Sequence, residues 1–424
     1  MGFLEVMKER ELLVQVTHEE ELRDHLNSAQ RSAYVGFDPT ADSLHVGHLM
    51  GIVNLMRWQQ AGHRAIAIVG GGTGTVGDPS GRTELRQLLE EEAMKHNIAC
   101  IKKQLEKLID FSSPEKGIIV NNADWLGKLQ YLPFIRDIGR HFSVNRMLTA
   151  ECFKQRLEKG LSFLEFNYMV LQSYDFLHLF KTEGCTVQMG GDDQWSNMLG
   201  GVELVRRLSE EKGGKAFCLT WPLLTTSDGR KMGKTESGAV WLDPNKTSPY
   251  EYFQYWRNIE DARVGMCLKY MTFLPLDEIK RLNALKDKEI NEAKKVLAFE
   301  ATKILHGKDE AEKAVKSAEK LFAGGSSTVD GDKTDGSEPQ VLVSKAMIES
   351  GIKLIDALTQ LNVFPSKSEV RRLVEQGGLA LNGKKVDDCE VRLAIADFKE
   401  WGTSGRSCLI KKGRKHYYRL VISN

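Results

Sequence analysis

Cysteine is scarce in this sequence, and its spacing argues against folds that are stabilised by disulfides or by zinc. Seven cysteines are spread over 424 residues, and no two form a C-x-x-C pair. We therefore expect reduced thiols, no disulfide framework and no protein-bound zinc or other metal site. No apolar run approaches the roughly 20 residues that span a bilayer, and the first thirteen residues lack the pattern of a signal peptide. These absences predict a cytoplasmic protein without a membrane partner.

Net charge is also nearly absent, at +1, but the charge is unevenly distributed. Residues 406–419 are strongly basic, whereas residues 84–92 are rich in glutamate. Because a nucleic acid responds to a local basic patch, the near-neutral total does not exclude an RNA partner. The length favours about two to four domains.

One stretch near the N-terminus combines a short apolar run with a helix start. Residues 33–37 predict a buried strand, and Asp42–Ser43 predict the N-cap of a helix that opens near Leu44. The first turn of this helix holds His45, Gly47 and His48. A helix N-terminus attracts anions, the imidazoles add donors, and glycine lets a ring or ribose approach the backbone. Taken alone, the pattern also fits a helix start with incidental histidines.

A second apolar run at 65–69 completes a β-α-β pattern and predicts a parallel sheet. The glycine-rich segment that follows contains G-x-G-x-x-G, from Gly72 to Gly77. A dinucleotide fingerprint opens a helix directly, but Asp78-Pro79-Ser80-Gly81 interrupts here, so we reject that interpretation. The segment instead predicts a loop that lets the backbone approach a ligand at the sheet edge.

The run 161–180 predicts a helix that is apolar on almost every side and therefore buried. Tyr168, Gln172 and Asp175 stand at i, i+4 and i+7, which places them on a stripe of roughly 60°. Buried polar groups require partners. The stripe therefore either faces a binding pocket or forms an internal hydrogen-bond network.

Later segments add three further features. The glycine-rich loop 228–237 carries Lys231, Lys234 and Thr235, a composition that suits a cationic arm over phosphates or, alternatively, a solvated basic turn. Residues 323–340 have the Gly/Ser/Asp composition of a flexible linker. Beyond it, a basic helix, a Gly-Gly pair and an Asn-Gly hairpin signal precede a basic, tyrosine-containing tail.

Together these motifs resemble those of a known family. The paired signatures His45-Val46-Gly47-His48 and Lys231-Met232-Gly233-Lys234-Thr235 are similar to those of class I aminoacyl-tRNA synthetases. The further residues Tyr34, Asp38-Pro39-Thr40, Gly77-Asp78-Pro79-Ser80, Tyr168, Gln172, Asp175, Gly190-Gly191 and Asp193-Gln194-Trp195 narrow the resemblance to the bacterial-type tyrosyl-tRNA synthetases. Residues 364–386 resemble the S4 RNA-binding motif.

The resemblance implies an α/β fold with three folded parts. A Rossmann-like catalytic domain with a parallel sheet is expected over 1–222, with a dimer-forming insertion around 121–165. A lysine loop and helical anticodon-stem domain follow over 223–322, then the linker 323–343 and a small α+β S4-like RNA-binding domain over 344–424. The implied reaction joins L-tyrosine to tRNA(Tyr) at the expense of ATP, with Mg²⁺ accompanying ATP and pyrophosphate, in a cytoplasmic homodimer.

The resemblance also assigns roles to individual residues. The catalytic set is Thr40, His45, His48, Lys231, Lys234 and Thr235. The tyrosine-binding set is Tyr34, Asp78, Tyr168, Gln172, Asp175 and Gln188. The ATP-binding set is Gly36, Asp38, Gly47, Asp193, Gln194 and Lys234, and Arg82 and Arg86 are expected to reach pyrophosphate. The RNA-binding set is Lys367, Arg371, Arg372, Lys411, Lys412, Arg414 and Lys415.

Two alternatives stay open at this point. A tryptophanyl-tRNA synthetase shares the fold and both signatures, although Asp175 with Tyr34 favours a phenol and the S4-like tail favours tyrosine. An RNA-binding protein on a catalytically inactive synthetase scaffold is the other possibility. The retention of both histidines and both lysines counts against it.

Overall fold

A computed structural model describes residues 2–80, 89–209, 214–227, 229, 232–235, 238–323, 340–401, 405–413 and 416–423. The chain forms two compact units. The first comprises Met1–Lys234, Ala239–Asp243 and Glu260–Ala284, and the second comprises Thr235–Gly238, Pro244–Ile259 and Leu285–Asn424. The domain boundaries inferred from sequence stay predictions. The predicted linker lies largely outside the described residues.

A five-stranded parallel sheet forms the centre of the first unit. Its strands are β1 (Ser32–Phe37), β2 (Arg64–Val69), β3 (Gly117–Asn121), β4 (Cys185–Gly191) and β5 (Phe217–Trp221). They lie in the order β3-β2-β1-β4-β5. Strands β2 and β5 are almost entirely buried, as expected where helices cover a parallel sheet. The Rossmann-like fold class predicted from sequence is confirmed.

Helices α1 to α10 precede, connect and follow these strands. They are α1 (Phe3–Glu9), α2 (Glu19–Ser28), α3 (Val46–Gln60), α4 (Glu91–Leu108), α5 (Ala123–Leu126), α6 (Tyr131–Asp137), α7 (Val144–Leu148), α8 (Glu151–Lys159), α9 (Phe163–Glu183) and α10 (Trp195–Leu208). Short strands β6 (Lys234–Thr235) and β7 (Gly238–Ala239) follow β5. The next helices are α11 (Pro249–Arg257), α12 (Val264–Met271), α13 (Leu276–Asn283), α14 (Ile290–His306) and α15 (Lys308–Ala323).

The start of α3 differs from the sequence-based expectation. The helix begins at Val46, and its N-cap is His45 rather than Asp42 or Ser43. The Ser43 hydroxyl is used elsewhere, because it donates to the Leu44 carbonyl and accepts from the Gln104 amide and the Asp243 N–H.

Two buried arginines hold the end of α12 in place within the first unit. Arg57, near the end of α3, donates to the backbone carbonyls of Lys269, Tyr270 and Thr272. Arg10 donates to carbonyls of the same turn and to Leu274. The last carbonyls of a helix lack intrahelical partners and carry partial negative charge, so these guanidinium groups cap α12. Burial lowers the pKa of Arg57 to about 9.

The second unit ends in a small α+β module. Its helices are α16 (Lys345–Glu349), α17 (Leu354–Gln360) and α18 (Lys367–Glu375), and its strands are β8 (Gln340–Ser344), β9 (Leu379–Leu381), β10 (Lys384–Lys385), β11 (Lys399–Trp401), β12 (Gly405–Lys412) and β13 (His416–Ser423). The strands pair in the order β10-β9-β12-β13-β8, with β11 on β12. A core that includes Leu358, Phe364 and Ile410 fills the module. Within the described ranges, no helix is long and apolar enough to cross a membrane.

Candidate active site

The strand order creates a crevice at one edge of the parallel sheet. Strand β1 lies between β2 and β4. The chain therefore adds β2 and β3 on one side of β1, and later adds β4 and β5 on the other side. Ligands of open α/β sheets bind at such switch points, beyond the carboxyl ends of the strands. Tyr34 of β1 and Gln188 of β4 are register partners across this point. The predicted tyrosine-binding residues therefore lie on both sides of the crevice.

Tyr34 and Gln188 each present a buried polar atom to this region. Tyr34 is 2% and Gln188 is 3% exposed. Within the described part of the chain, the Tyr34 hydroxyl and Gln188 Oε1 have no hydrogen-bond partner. A buried polar atom without a partner costs free energy, so both positions fit a ligand that supplies one. Burial, reinforced by Asp175, raises the pKa of Tyr34 well above its ordinary value, which keeps its hydroxyl a donor.

Asp175 of α9 provides a matching acceptor. Its two oxygens accept from Asn122 Nδ2 at 2.9 Å and from Trp125 Nε1 at 2.7 Å. Burial raises the pKa of Asp175 to about 7, while these two hydrogen bonds oppose the increase. A carboxylate with Tyr34 nearby can accept a hydrogen bond from a phenol while the Tyr34 hydroxyl donates to it.

A continuous hydrogen-bond network joins two residues of the polar stripe of α9, Asp175 and Tyr168. Asn122 Nδ2 also donates to the Thr73 hydroxyl, which donates to Asp38 Oδ1 at 3.0 Å. The Tyr168 hydroxyl donates to Asp38 Oδ2 at 3.3 Å. The polar stripe therefore takes part in an internal hydrogen-bond network, and its role in a binding pocket stays a prediction. Asp38, predicted to bind ATP, contacts Tyr168 and Thr73 here.

A second cluster surrounds Asp78. Its carboxylate accepts from the Ser80 N–H at 2.9 Å and from Gln194 Nε2 at 2.8 Å. Buried Asn197 donates to Gln172 Oε1, the Ser80 hydroxyl and Gln194 Oε1 at 3.1, 3.2 and 3.4 Å. Burial, assisted by Asp38, raises the pKa of Asp78. A cationic ligand would relieve this cost, because an opposite charge favours the ionised carboxylate.

The first turn of α3 is built from the two histidines and the glycine between them. His45 Nδ1 accepts from the Gly47 N–H at 3.0 Å, and His48 Nδ1 accepts from the His45 N–H at 3.2 Å. The two imidazole rings lie 4.1 Å apart. A Cβ on Gly47 would stand 2.7 Å from His45 Cε1, so only glycine permits this arrangement. The histidines thus cap the helix, and they are also candidate hydrogen-bond donors to a phosphate.

The structure brings the second signature against the first. The Val240 carbonyl accepts from the Val46 N–H at 3.0 Å, and Val240 N–H donates to the Gly233 carbonyl at 2.9 Å. Gly233 has φ +96°, and a Cβ there would lie 3.1 Å from the Gly47 nitrogen. The backbone at Gly233 therefore packs directly on the positive end of α3. Lys231 lies outside the described residues, as do Arg82 and Arg86, and the side chains of Lys234 and Thr235 are not described.

The remaining predicted nucleotide-binding residues lie at the same sheet edge. Gly36 is the one exposed residue of β1, and a Cβ there would meet nothing within 4 Å. Asp193 and Gln194 follow the carboxyl end of β4 in a short 3-10 turn. Thr40 is exposed in the turn after β1. Open space above a bare strand backbone can accommodate the flat face of a ribose or base.

The predicted RNA-binding residues of the second unit differ in their surroundings. Arg371 and Arg372 are exposed on α18, and Lys367 forms an ion pair with Asp356 at 2.8 Å. The Lys412 ammonium contacts the Val363 carbonyl and lies 4.1 Å from the centre of the Phe364 ring. Lys411 is half-buried beside Tyr417, and Arg414 and Lys415 lie outside the described residues.

Comparisons with known proteins identify the family of this chain. A family model described as "tRNA synthetases class I (W and Y)" matches residues 27–323, and one for the "Tyrosine--tRNA ligase SYY-like C-terminal domain" matches 334–420. The chain is 54% identical over 420 residues to the tyrosine–tRNA ligase of Clostridium perfringens strain 13, covering 99% of both chains. It is 53% identical to the tyrosine–tRNA ligase of Clostridium botulinum strain Langeland, over 99% of this chain and 98% of that protein. The chain belongs to the tyrosine–tRNA ligase family.

Solved structures of the family share the fold. A C-terminally truncated mitochondrial tyrosyl-tRNA synthetase of Aspergillus nidulans has a TM-score of 0.67 at 32% identity, covering 76% of this chain and 94% of that one. The tyrosyl-tRNA synthetase of Archaeoglobus fulgidus, solved with L-tyrosine, has a TM-score of 0.56 at 19% identity, covering 74% of this chain and all of that chain. The second likeness concerns the fold alone.

Four residues of this tyrosine–tRNA ligase site were missed from sequence: Thr73, Asn122, Trp125 and Asn197. Asn122 directly follows the carboxyl end of β3, where the sheet-edge rule applied to the glycine-rich loop would have identified it. Asn197 lies one turn beyond Gln194 on α10. Nothing local distinguishes Trp125 from a core tryptophan.

Proposed function

We propose that this chain activates L-tyrosine with ATP and transfers the tyrosyl group to tRNA(Tyr). The observation that carries the proposal is the buried pair of a partner-free Tyr34 hydroxyl and the Asp175 carboxylate at the switch point of the sheet. A hydroxyl group on the substrate can accept a hydrogen bond from Tyr34 and donate one to Asp175. An analogue without it leaves the buried Tyr34 hydroxyl without a partner, and the rejection of phenylalanine by tyrosyl-tRNA synthetases is a standard example of this effect.

The two clusters of the crevice divide the binding of tyrosine between them. Tyr34 and Asp175 bind the phenol, and Asn122 and Trp125 orient the Asp175 carboxylate. The ammonium group binds beside Asp78, with Gln172 and Tyr168 as further polar contacts and Gln188 at the crevice floor. The raised pKa of Asp78 supports this assignment, because the cation of the substrate replaces lost solvation.

Activation begins when a carboxylate oxygen of tyrosine attacks the α-phosphorus of ATP. The bond from that phosphorus to the bridging oxygen breaks, and tyrosyl-adenylate and pyrophosphate result. A carboxylate is already ionised at neutral pH, so no general base is required. Catalysis then consists of positioning and of stabilising charge on the phosphates.

The first turn of α3 and the lysine loop perform this stabilisation. His45 and His48 lie at the positive end of the helix, and Thr40, Lys231, Lys234 and Thr235 complete the set. Gly36, Gly47, Asp38, Asp193 and Gln194 hold the nucleoside, and Arg82 and Arg86 reach pyrophosphate. Mg²⁺ arrives on the phosphates of ATP. In the described ranges, no cluster of three His, Cys, Asp or Glu residues could hold a metal ion.

In the second step a hydroxyl of the 3′-terminal ribose of tRNA attacks the carbonyl of the adenylate. The ester forms, AMP leaves, and the hydroxyl proton is released. The α+β module of the second unit holds the tRNA through Lys367, Arg371, Arg372, Lys411, Lys412, Arg414 and Lys415. We place the enzyme in the cytoplasm, where tRNA is charged.

A homodimer is proposed on the apolar surface of the 121–165 region. Large apolar side chains are exposed there: Tyr131, Leu132, Ile135, Val144, Leu148, Leu157, Phe163 and Leu164. Many exposed large apolar side chains in one region of the chain are typical of an interaction site. Sedimentation of the full chain will give the mass of a dimer, and Phe163→Asp will shift it toward the monomer.

The decisive test is amino-acid-dependent exchange of pyrophosphate into ATP, compared for tyrosine, phenylalanine and tryptophan. Exchange with tyrosine alone, lost in Asp175→Ala, supports the reaction and the pocket together. Exchange with tryptophan would assign the chain to the sister enzyme. RNA binding without exchange under any amino acid would indicate a binding protein on an inactive catalytic fold.

A further inference from the structure

Four residues form one row across the sheet of the α+β module. Lys385 of β10 pairs with Ala380 of β9, Ala380 pairs with Lys411 of β12, and Lys411 pairs with Tyr417 of β13. All three strand pairs are antiparallel, and directly opposed residues project from the same face. The row therefore presents an ammonium, a small apolar residue, a second ammonium and an aromatic ring in sequence.

This row borders a cavity of about 520 Å³. Besides the row, its lining includes Leu373 and Gln376 at the end of α18. Four glycines also line it: Gly377, Gly378, Gly383 and Gly413. The Lys411 ammonium lies 5.8 Å from the centre of the Tyr417 ring, within cation–π range. The volume falls within the range of small-ligand sites and exceeds what a single side chain would fill.

The glycines make this shape possible. Gly377 has φ +67°, and a Cβ there would lie 2.5 Å from Lys385 Nζ, so the lysine crosses a bare backbone. Gly413 has φ +68°, and its N–H donates to the Gly378 carbonyl at 2.8 Å, which closes one side. Bare backbone on both sides lets a planar group approach closely.

We propose that this cavity binds one unstacked nucleotide of the tRNA. A duplex surface would contact exposed lysines evenly and would need no cavity, whereas an extruded nucleotide brings a flat base and a phosphate to one point. The ammonium groups of Lys385 and Lys411 bind the phosphate. The apolar walls and Tyr417 enclose the base, and the amide of Gln376 can donate to and accept from its edge.

This inference rests on the proposed tRNA substrate, and a matched pair of variants tests it. Lys385→Ala and Lys384→Ala each remove one positive charge from the same two-residue strand. Adjacent strand residues point to opposite faces, and Lys384 is not part of the cavity wall. Non-specific attraction to phosphates falls equally in both. We expect the Kd of the full-length chain for tRNA(Tyr) to rise about 10-fold in Lys385→Ala and less than about 2-fold in Lys384→Ala.

A second variant fills the cavity without changing charge. Ala380→Leu places a larger side chain between the two lysines, and the Kd should rise about 10-fold. Base-specific chemical modification of the bound tRNA should show one non-helical base that is shielded by the wild-type chain and reactive with Ala380→Leu. Unchanged melting temperatures will show that each variant is folded.

Equal Kd values for the two lysine variants, or a shielded base that Ala380→Leu leaves shielded, would overturn the inference. Pyrophosphate exchange needs no RNA and therefore judges the proposed function separately. A wild-type chain that exchanges with tyrosine while the lysine pair behaves identically refutes the nucleotide site alone.

Discussion

The indole of Trp125 donates a hydrogen bond to Asp175 Oδ1 at 2.7 Å, and the same indole stacks on the ring of His178. The ring centroids lie 4.4 Å apart with 19° between the planes. The stack fixes the indole, and the indole fixes the carboxylate. Trp125 is therefore a positioning residue for the phenol site, because it acts on the substrate through Asp175.

Trp125→Phe should raise the KM for tyrosine about 10-fold, while the KM for ATP stays unchanged. Phenylalanine keeps a ring against His178 but loses the N–H, and a hydrogen bond to a charged group is worth about 1.5–3 kcal/mol. The hydrogen bond also lowers the pKa of Asp175, so its loss should move the pH midpoint of tyrosine binding upward.

His178→Leu is the matching control for Trp125→Phe, because it removes the stack and keeps the indole N–H. It should affect tyrosine binding less. If Trp125→Phe leaves both the KM for tyrosine and the pH midpoint unchanged, the indole does not position Asp175.

Stability should depend on pH through Asp175. Burial raises its pKa to about 7 from the ordinary 3.8, so the folded chain binds an extra proton between these values. The folded state is therefore favoured by its bound proton: this stabilisation is fully present below pH 4 and is lost as the pH rises through 7. From pH 5 to pH 8, the free energy of unfolding of the wild type should fall by about 3 kcal/mol relative to Asp175→Asn. Denaturant titrations of both proteins at several pH values in this range would measure the difference. If the two free energies of unfolding change equally with pH, the prediction is contradicted.

Gly36→Ala should weaken ATP binding without destabilising the fold. A Cβ at this position meets no protein atom within 4 Å, so the methyl group projects into the space assigned to the nucleotide. Replacing glycine where the backbone allows it raises the free energy of unfolding by about 0.4–1 kcal/mol. We expect the KM for ATP to rise about 10-fold, equivalent to about 1.4 kcal/mol, in steady-state pyrophosphate exchange. A lower melting temperature would mean that the space is needed by the fold itself.

Gly47→Ala should act on the rate of adenylate formation instead. The new Cβ collides with His45 Cε1 at 2.7 Å and displaces the imidazole from the helix start. The kcat for pyrophosphate exchange should fall at least about 10-fold, while the Kd for tyrosine stays unchanged. Gly51→Ala, one turn further along α3, contacts only apolar side chains and is the control. Equal kcat losses in the two variants would assign the effect to helix packing.

Glu165→Gln should strongly destabilise the first unit. Glu165 forms an ion pair with Arg156 at 2.9 Å, and both side chains are at most 4% exposed. Removing one charge of a buried pair costs about 3–5 kcal/mol, because the other charge stays buried. The exposed pair of Glu151 and Lys154 on α8 is the control, and Glu151→Gln should cost less than about 1 kcal/mol. Thermal unfolding of both variants would decide, and equal shifts would refute the burial argument.

Features that depend on near neighbours in the chain were predictable from sequence. The strands at 32–37 and 64–69, helix α9 and its polar stripe follow from periodicity that each segment carries by itself. The prediction that α9 is buried on almost every side was wrong for its first turn, where Phe163 and Leu164 are exposed. The cap of α3 was not predictable, since by residue type Ser43 is a better N-cap than His45. Its hydroxyl is taken by Gln104 and by Asp243, which lies 200 residues away in the chain.

The sequence by itself determined the family, the parallel sheet and part of the set of polar residues at the sheet edge. Only the tertiary structure decided how these residues work together. It placed Asn122 and Trp125 on Asp175 and laid Gly233 against the nitrogen of Gly47. It also aligned Lys385 with Lys411 across three strands. A hydrogen bond forms only within about 3.5 Å, and distances of that size between residues far apart in sequence are set by strand order and helix packing.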